Sequence, residues 1–333
     1  MGALSDRRLQ TKARLQTIRQ RLKSAEEIAT GKACVYATGS FGRGEASLYS
    51  DLDLFIVGKK NGKPGPDGKE GSLLKHLDDI RIKADLIEVT QNLGIQEFSG
   101  DGRYLVHYSV HDFTKTLGTP EDDVTNTFTA RLLLLLESCP LVEDAVYCEI
   151  IEEVVAAYWR YYEDHKGTFM PAFLANDVLR LWRTFCVNYE ARTERIPEDE
   201  KAKGKVKNYK LKHSRLLTCY SALLYLLALF RAKHSVSPTD AMNMIRLTPT
   251  ERLEWLRDDQ RFVEAKAIVG RILDHYERFL ETTNMDEKGL VAHFMDKELS
   301  HEYMDAAYKF GDLVFEALNL IGGGNRFHRL LVV

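Results

Sequence analysis

The amino-acid sequence predicts an α+β protein: a small sheet-bearing domain over residues 1–140, an all-helical domain over 141–320, and a tail over 321–333. Three observations carry this. Residues 33–38 and 51–57 are short, apolar, partly β-branched runs on either side of a glycine-rich turn, the pattern of buried strands. Beyond residue 140, apolar residues recur at three- and four-residue steps with few strand-like runs, the pattern of packed helices. A chain of 333 residues that is 44% hydrophobic and 29% charged is long and apolar enough for one or two proper cores.

Residues 4–29 read as an amphipathic helix laid on the sheet, with Leu4, Leu15, Ile18, Leu22 and Ile28 broadly on one side. After the first strand comes Gly39-Ser40-Phe41-Gly42-Arg43-Gly44-Glu45, and then a strand that opens with Asp51 and Asp53. Residues two apart on a strand share a face, so the two carboxylates stand side by side while Leu52 and Leu54 point into the core. Adjacent carboxylates repel, and a divalent cation between them relieves the repulsion. Hard oxygen donors suit Mg²⁺ (or Mn²⁺), completed by water and substrate phosphates. Gly39, Gly42 and Gly44 let backbone N–H groups approach an anion, and Ser40 is placed to cap a following helix. An anion cradle beside a two-acid metal site is what attack on a nucleoside triphosphate requires.

The pattern Gly39-Ser40, Arg43-Gly44-Glu45 and Ser50-Asp51-Leu52-Asp53 resembles the signature of the DNA polymerase β-type nucleotidyltransferase superfamily. Within it, the motif is most similar to the uridylyltransferases that modify the PII signalling protein and to relatives with a helical substrate-binding domain. The resemblance implies a small mixed-sheet catalytic domain, with Asp51 and Asp53 as metal ligands and catalytic residues. Gly39, Ser40, Gly42 and Arg43 are then nucleotide-binding, although Arg43 could equally clamp Glu45 or Asp51. The weaker likeness extends to roughly residue 145.

Superfamily members usually carry a third carboxylate on a neighbouring strand. Asp85 fills that place if residues 83–89 form a strand, but Leu73, Leu77, Ile80, Ala84 and Ile87 recur at helical spacing and favour one long helix. The third strand is then 103–110, which has no acid. Residues 59–69 read as a surface hairpin or loop, solvated or closing over a nucleotide. His111-Asp112 marks a helix start. A helix over 125–138 ends at Ser138-Cys139-Pro140, the expected domain boundary.

In the helical part, residues 150–165 read as one helix with an aromatic core stripe. Asn176, Arg180 and Arg183 share a face of the next. Residues 201–215 hold seven Lys or Arg and no acid. The first half reads as a mobile loop; the second opens the apolar helix at Leu216, where cations oppose the macrodipole and need another reason to be present. The resemblance implies that Arg183, Lys212 and Arg215 reach the triphosphate. Pairing with Glu194, Glu198, Asp199 and Glu200 is the alternative. Further helices are expected over 241–247, 249–257, 261–283 and 297–320, followed by a flexible tail that could dock on another subunit, giving a homo-oligomer.

A net charge of −3 excludes a uniformly cationic nucleic-acid surface. Five cysteines without a CxxC pair fit a reduced, cytoplasmic protein. No signal peptide is visible, and residues 216–230 read as a buried helix rather than a membrane span. The expected chemistry is metal-dependent transfer of a nucleoside monophosphate from an NTP to a hydroxyl of a macromolecule. A protein acceptor is favoured; RNA or a tRNA end is the alternative, and a weakly active nucleotide sensor is a third.

Overall fold

The computed structural model describes residues 2–64, 70–96, 98, 102, 105–191 and 198–332. The chain divides into two compact units, Ala3–Arg160 and Tyr161–Val333.

The first unit begins with α1 (Ala3–Arg21) and α2 (Lys23–Ala29). These are two helices rather than the single one expected, because Leu22 leaves the helical conformation at ψ 29° and sinks into the core. Then come β1 (Ala33–Thr38), a single helical turn α3 (Gly39–Gly42) and β2 (Asp53–Gly58). A ribbon of β3 (Lys60–Pro64) and β4 (Glu70–Ser72) stands where a hairpin or loop is expected; residues 65–69 lie outside the described residues. The remaining elements are α4 (His76–Asn92), β5 (His107–Ser109), α5 (Val110–Lys115), α6 (Pro120–Val124), α7 (Thr127–Leu136), β6 (Cys139–Val142) and α8 (Asp144–Tyr158).

The main sheet is mixed, in the order β5-β2-β1-β6. β1 pairs antiparallel with both β2 and β6, and β2 pairs parallel with β5. Alternate residues serve two layers. Ala33, Val35, Ala37, Leu52, Leu54 and Ile56 join α2 and α4 in one core. The opposite parity carries Tyr36 and Phe55, stacked at 5.5 Å, with Tyr147 and Tyr108 beside them. Asp53 shares the parity of Phe55, so Leu52 and Leu54 fill the core as the spacing predicts. Because β6 completes the sheet and α8 covers it, the first unit runs past the expected boundary near 140 to Arg160. The strand is short and contains Pro140, which an edge position tolerates, and that hides it from sequence inspection.

Residues 76–92 form a helix, which removes Asp85 from any strand. The stripe that predicts the helix is nevertheless not its buried one. Ile82, Leu86 and Val89 face the core, whereas Leu77, Ile80 and Ile87 are exposed. His111-Asp112 does open a helix: Ser109 and Asp112 form a reciprocal capping box at the start of α5.

The second unit is helical. It contains α9 (Ala172–Glu190), α10 (Glu198–Lys210), a π-helical turn over Leu211–Arg215, α11 (Leu216–Lys233), α12 (Pro238–Arg246), α13 (Pro249–Asp258) and α14 (Lys266–Thr282). It closes with α15 (Glu287–Met295), α16 (Lys297–Gly322) and α17 (Arg326–Leu330). The expected helix over 150–165 stops at Tyr158. The tail does not hang free, since Phe327 of α17 is fully buried against Phe230.

The basic run is neither a loop nor a helix start. It lies inside continuous helix, because Ala202, Val206, Tyr209 and His213 recur at three- and four-residue steps and are all buried. The lysines occupy the remaining faces, where the dipole argument for an N-terminus has no force. Glu200–Lys233 is long and apolar enough to cross a membrane, but 78% of its apolar window is packed inside the protein, as in a core helix.

Candidate active site

The two acids stand at the end of the central strand pair. Thr38, the last residue of β1, lies opposite Asp53, the first of β2. The chain leaves β1 through Gly39 at φ +65°, a left-handed conformation that favours glycine. A Cβ at Gly39 would lie 3.0 Å from Oδ2 of Asp53, so the Asp53 carboxylate rests against the bare backbone of the turn. Asp53 is half-buried and Asp51, just ahead of the strand, is exposed. Acid, glycine turn and solvent therefore meet at one sheet end.

The turn itself is Gly39–Gly42, with Thr38 as the residue before it. Ser40 is inside the turn and so does not cap a following helix. The N–H groups of Arg43, Gly44 and Glu45 donate to the carbonyls of Gly39, Phe41 and Ser40 at 3.0, 3.1 and 2.7 Å. The N–H groups that a first helical turn leaves without an intrahelical partner are those of Gly39, Ser40 and Phe41.

Gly42 and Arg43 face inward. A Cβ at Gly42 would overlap the carbonyl oxygen of Glu137 and lie 2.9 Å from that of Ala37, so this glycine permits close backbone packing. Arg43 Nε donates to Glu45 at 2.9 Å and its Nη1 donates to Glu137 at 2.8 Å, with all three side chains buried. Of the roles open to Arg43, the structure displays the clamp: it ties the turn to the end of α7.

α1 fastens the loop between the turn and the acids. Arg7 Nη1 donates to the Glu45 carbonyl at 3.1 Å, and the Ala46 N–H donates to Thr11 Oγ1 at 2.8 Å. Arg14 donates to the Ser47 carbonyl and lies 4.6 Å from the ring centre of Phe41. Burial lowers the Arg14 pKa from the ordinary arginine value. The Ser47 N–H then donates to Ser50 Oγ at 2.9 Å, which orders the last turn before Asp51. Arg7, Thr11 and Arg14 fall at helical spacing on one face. Their sequence signal is a set of polar residues at helical spacing beside the apolar stripe of the same helix. For the Arg43 clamp the signal is Glu137, an acid placed directly after a run of five leucines.

Among the described residues no group of three His, Cys, Asp or Glu is placed to hold a metal. Residues 103 and 104 of the expected third strand lie outside the described residues, and β5 carries no acid.

Arg183, Lys212 and Arg215 belong to the second unit, on neighbouring helices. Trp182 of α9 packs edge-on to Tyr220 at 6.1 Å, and Arg215 lies 5.2 Å from the ring centre of Phe185. Lys212 Nζ sits 3.6 Å over the ring of Tyr308. Two of these cations therefore have favourable contacts inside their own unit. Arg183 is exposed and lines a cavity.

Residues 15–97 match the family model described as a nucleotidyltransferase domain. That span runs from the second half of α1 through α4, and it contains the turn and both acids. It supports nucleoside monophosphate transfer as the general chemistry, with a nucleoside triphosphate as substrate. No curated protein and no solved structure matches the chain.

Proposed function

We propose that this protein transfers a nucleoside monophosphate from an NTP to a hydroxyl of a macromolecular acceptor, a protein in the favoured reading, with release of pyrophosphate. The observation that carries the proposal is the Asp53 carboxylate resting on Gly39, with Asp51 exposed beside it, at the open end of β1 and β2. Two hard carboxylates fit a divalent cation that keeps most of its shell for water and phosphate. Asp51 and Asp53 would hold that Mg²⁺ (or Mn²⁺), which when bound neutralises triphosphate charge and lowers the pKa of the attacking hydroxyl. Gly39, Ser40 and Phe41 supply N–H donors to the outer phosphates. The buried Arg43 clamp and the α1 fastening hold the donors and acids in register, so that little reorganisation is needed when substrate binds. The exposed Leu48 and Tyr49, on the ordered turn just before Asp51, offer an apolar contact for an acceptor protein.

One observation favours RNA as the second reading. Lys203, Lys207 and Lys210 are exposed at three- and four-residue spacing on one flank of α10, a cationic strip suited to a phosphate backbone. Labelled NTP incubated with lysate and the full-length protein separates the cases. Label on a protein band that is lost in Asp51→Asn and Asp53→Asn supports the favoured reading. Label on RNA, weakening steeply with salt, supports the second. No transfer by wild type with Mg²⁺ or Mn²⁺ refutes both and leaves a nucleotide sensor.

A further inference from the structure

We infer that the outer face of α4 is a homodimer contact. Its occupant is α4 of a second copy of this chain, running antiparallel about a two-fold axis at Ala84. α4 carries two apolar stripes about half a turn apart. Ile82, Leu86 and Val89 face the core, whereas Leu77, Ile80 and Ile87 point away from it at 73, 49 and 42% exposure, with exposed Ala84 between them. A single exposed aliphatic residue is ordinary on a protein surface, but a continuous stripe of them marks a contact.

The charges beside the stripe select the occupant. Arg81 and Glu88 are both exposed and stand one heptad apart, hence on the same flank of the stripe. Among the described residues neither has an ion-pair or hydrogen-bond partner. Arg81 lies three residues before Ala84 and Glu88 four after it. A two-fold axis through Ala84, perpendicular to both helices, reverses their direction and keeps each flank on its own side. It brings Arg81 to within about 1.5 Å, one residue's rise, of the level of the partner's Glu88. The symmetry forms this pair twice. The flank fits a helix with the reverse order of charge, and an antiparallel α4 supplies that order.

The same axis serves the stripe. Ile80 comes beside the partner's Ile87, and the two alanines meet at the centre, where the smallest side chain lets the helices approach most closely. The other flank carries Lys83, which the axis brings toward the partner's Lys83. That charge is already held by Asp79 at 2.8 Å within the helix, so no bare repulsion opposes the contact. One helix from each copy makes a small interface, so a reversible dimer with a Kd of about 1–100 µM is expected.

The test is sedimentation equilibrium of the full-length protein over a concentration series reaching about 300 µM. The wild type is compared with Ile80→Glu, Arg81→Glu, Glu88→Arg and the double variant R81E/E88R. All three positions are exposed, so the fold survives, and circular dichroism verifies this for each variant. The wild type is expected to reach the dimer mass as concentration rises. Ile80→Glu weakens the dimer at least about tenfold by setting a charge in the apolar contact. Each single charge reversal sets like charges together at two places and also weakens it at least about tenfold. The double variant restores opposite charges and returns the Kd to within about threefold of the wild type. The proposal is overturned if the wild type stays monomeric throughout, or if Ile80→Glu leaves the dimer unchanged. A double variant no tighter than the single reversals overturns it too, since the copies then pair in some other way. The readout is mass alone, so its outcome is independent of the transferase assay.

Discussion

Arg43→Met separates the clamp from a phosphate ligand. In the wild type one guanidinium serves two carboxylates, at 2.9 Å to Glu45 and 2.8 Å to Glu137, and both acids are 2% exposed. Methionine keeps most of the side-chain volume and removes the charge, which leaves two buried acids facing each other's field. Breaking a buried ion pair by removing one partner costs about 3–5 kcal/mol. A loss of about 4 kcal/mol is expected on that basis, a large part of a typical total of about 5–15 kcal/mol. For a unit of this size it corresponds to a melting temperature about 8–16 °C lower. The assay is urea unfolding followed by fluorescence in a Trp182→Phe, Trp255→Phe background. Trp159, buried in the first unit, then reports that unit alone. The triple variant R43M/E45Q/E137Q recovers at least half of the loss, because neutral amides replace two buried carboxylates. The reasoning fails if R43M costs less than about 1 kcal/mol, the range of a surface pair, while the KM for NTP rises tenfold. That pairing of results would return Arg43 to the phosphates.

Three further outcomes are expected. Thr11→Val removes the acceptor of the buried Ala46 N–H and costs about 1–3 kcal/mol; with Arg14→Met it lowers nucleotide transfer at least tenfold while leaving both acids in place, measured as kcat for labelled transfer. Asp51→Asn and Asp53→Asn each reduce transfer at least about a hundredfold, and at the exposed Asp51 the change leaves urea stability within about 0.5 kcal/mol, so a folded but inactive Asp51→Asn protein is the expected product. Burial lowers the His213 pKa to about 4, against an opposing hydrogen bond with the Tyr209 carbonyl, and the ring stacks on Phe279 and Phe310. Because the folded pKa lies below the unfolded value of about 6.5, the unfolded chain binds the extra proton. Stability is therefore full above about pH 6.5 and falls as pH drops toward 4, by about 3 kcal/mol in all. His213→Leu abolishes that portion of the pH dependence in Trp255 fluorescence, and an unchanged slope in the variant would falsify the assignment.

Legibility differs from residue to residue. The strand–turn–strand stretch is readable because its signals are local: alternating burial at Leu52 and Leu54, glycine where the chain turns at φ +65°, two acids two residues apart. α4 is readable as a helix for the same reason, yet which of its two apolar stripes is buried depends on what packs there. Ile82, Leu86 and Val89 meet α2 and the sheet, and Leu77, Ile80 and Ile87 do not. The lysine run at 201–215 misleads because charge density suggests solvent exposure and mobility, while four residues at helical spacing quietly supply a buried face.

The residue order by itself determines an α+β chain with a glycine turn and paired acids at its sheet end, and a helical second half, since hydrophobic period and turn chemistry act over a few residues. Only the tertiary structure decides that Arg43 is held by Glu137, 94 positions away, that α1 fastens the loop before Asp51, and that Cys139–Val142 closes the sheet. A side chain's partner is set by which surfaces meet once the core has formed, and local spacing along the chain carries no record of that meeting.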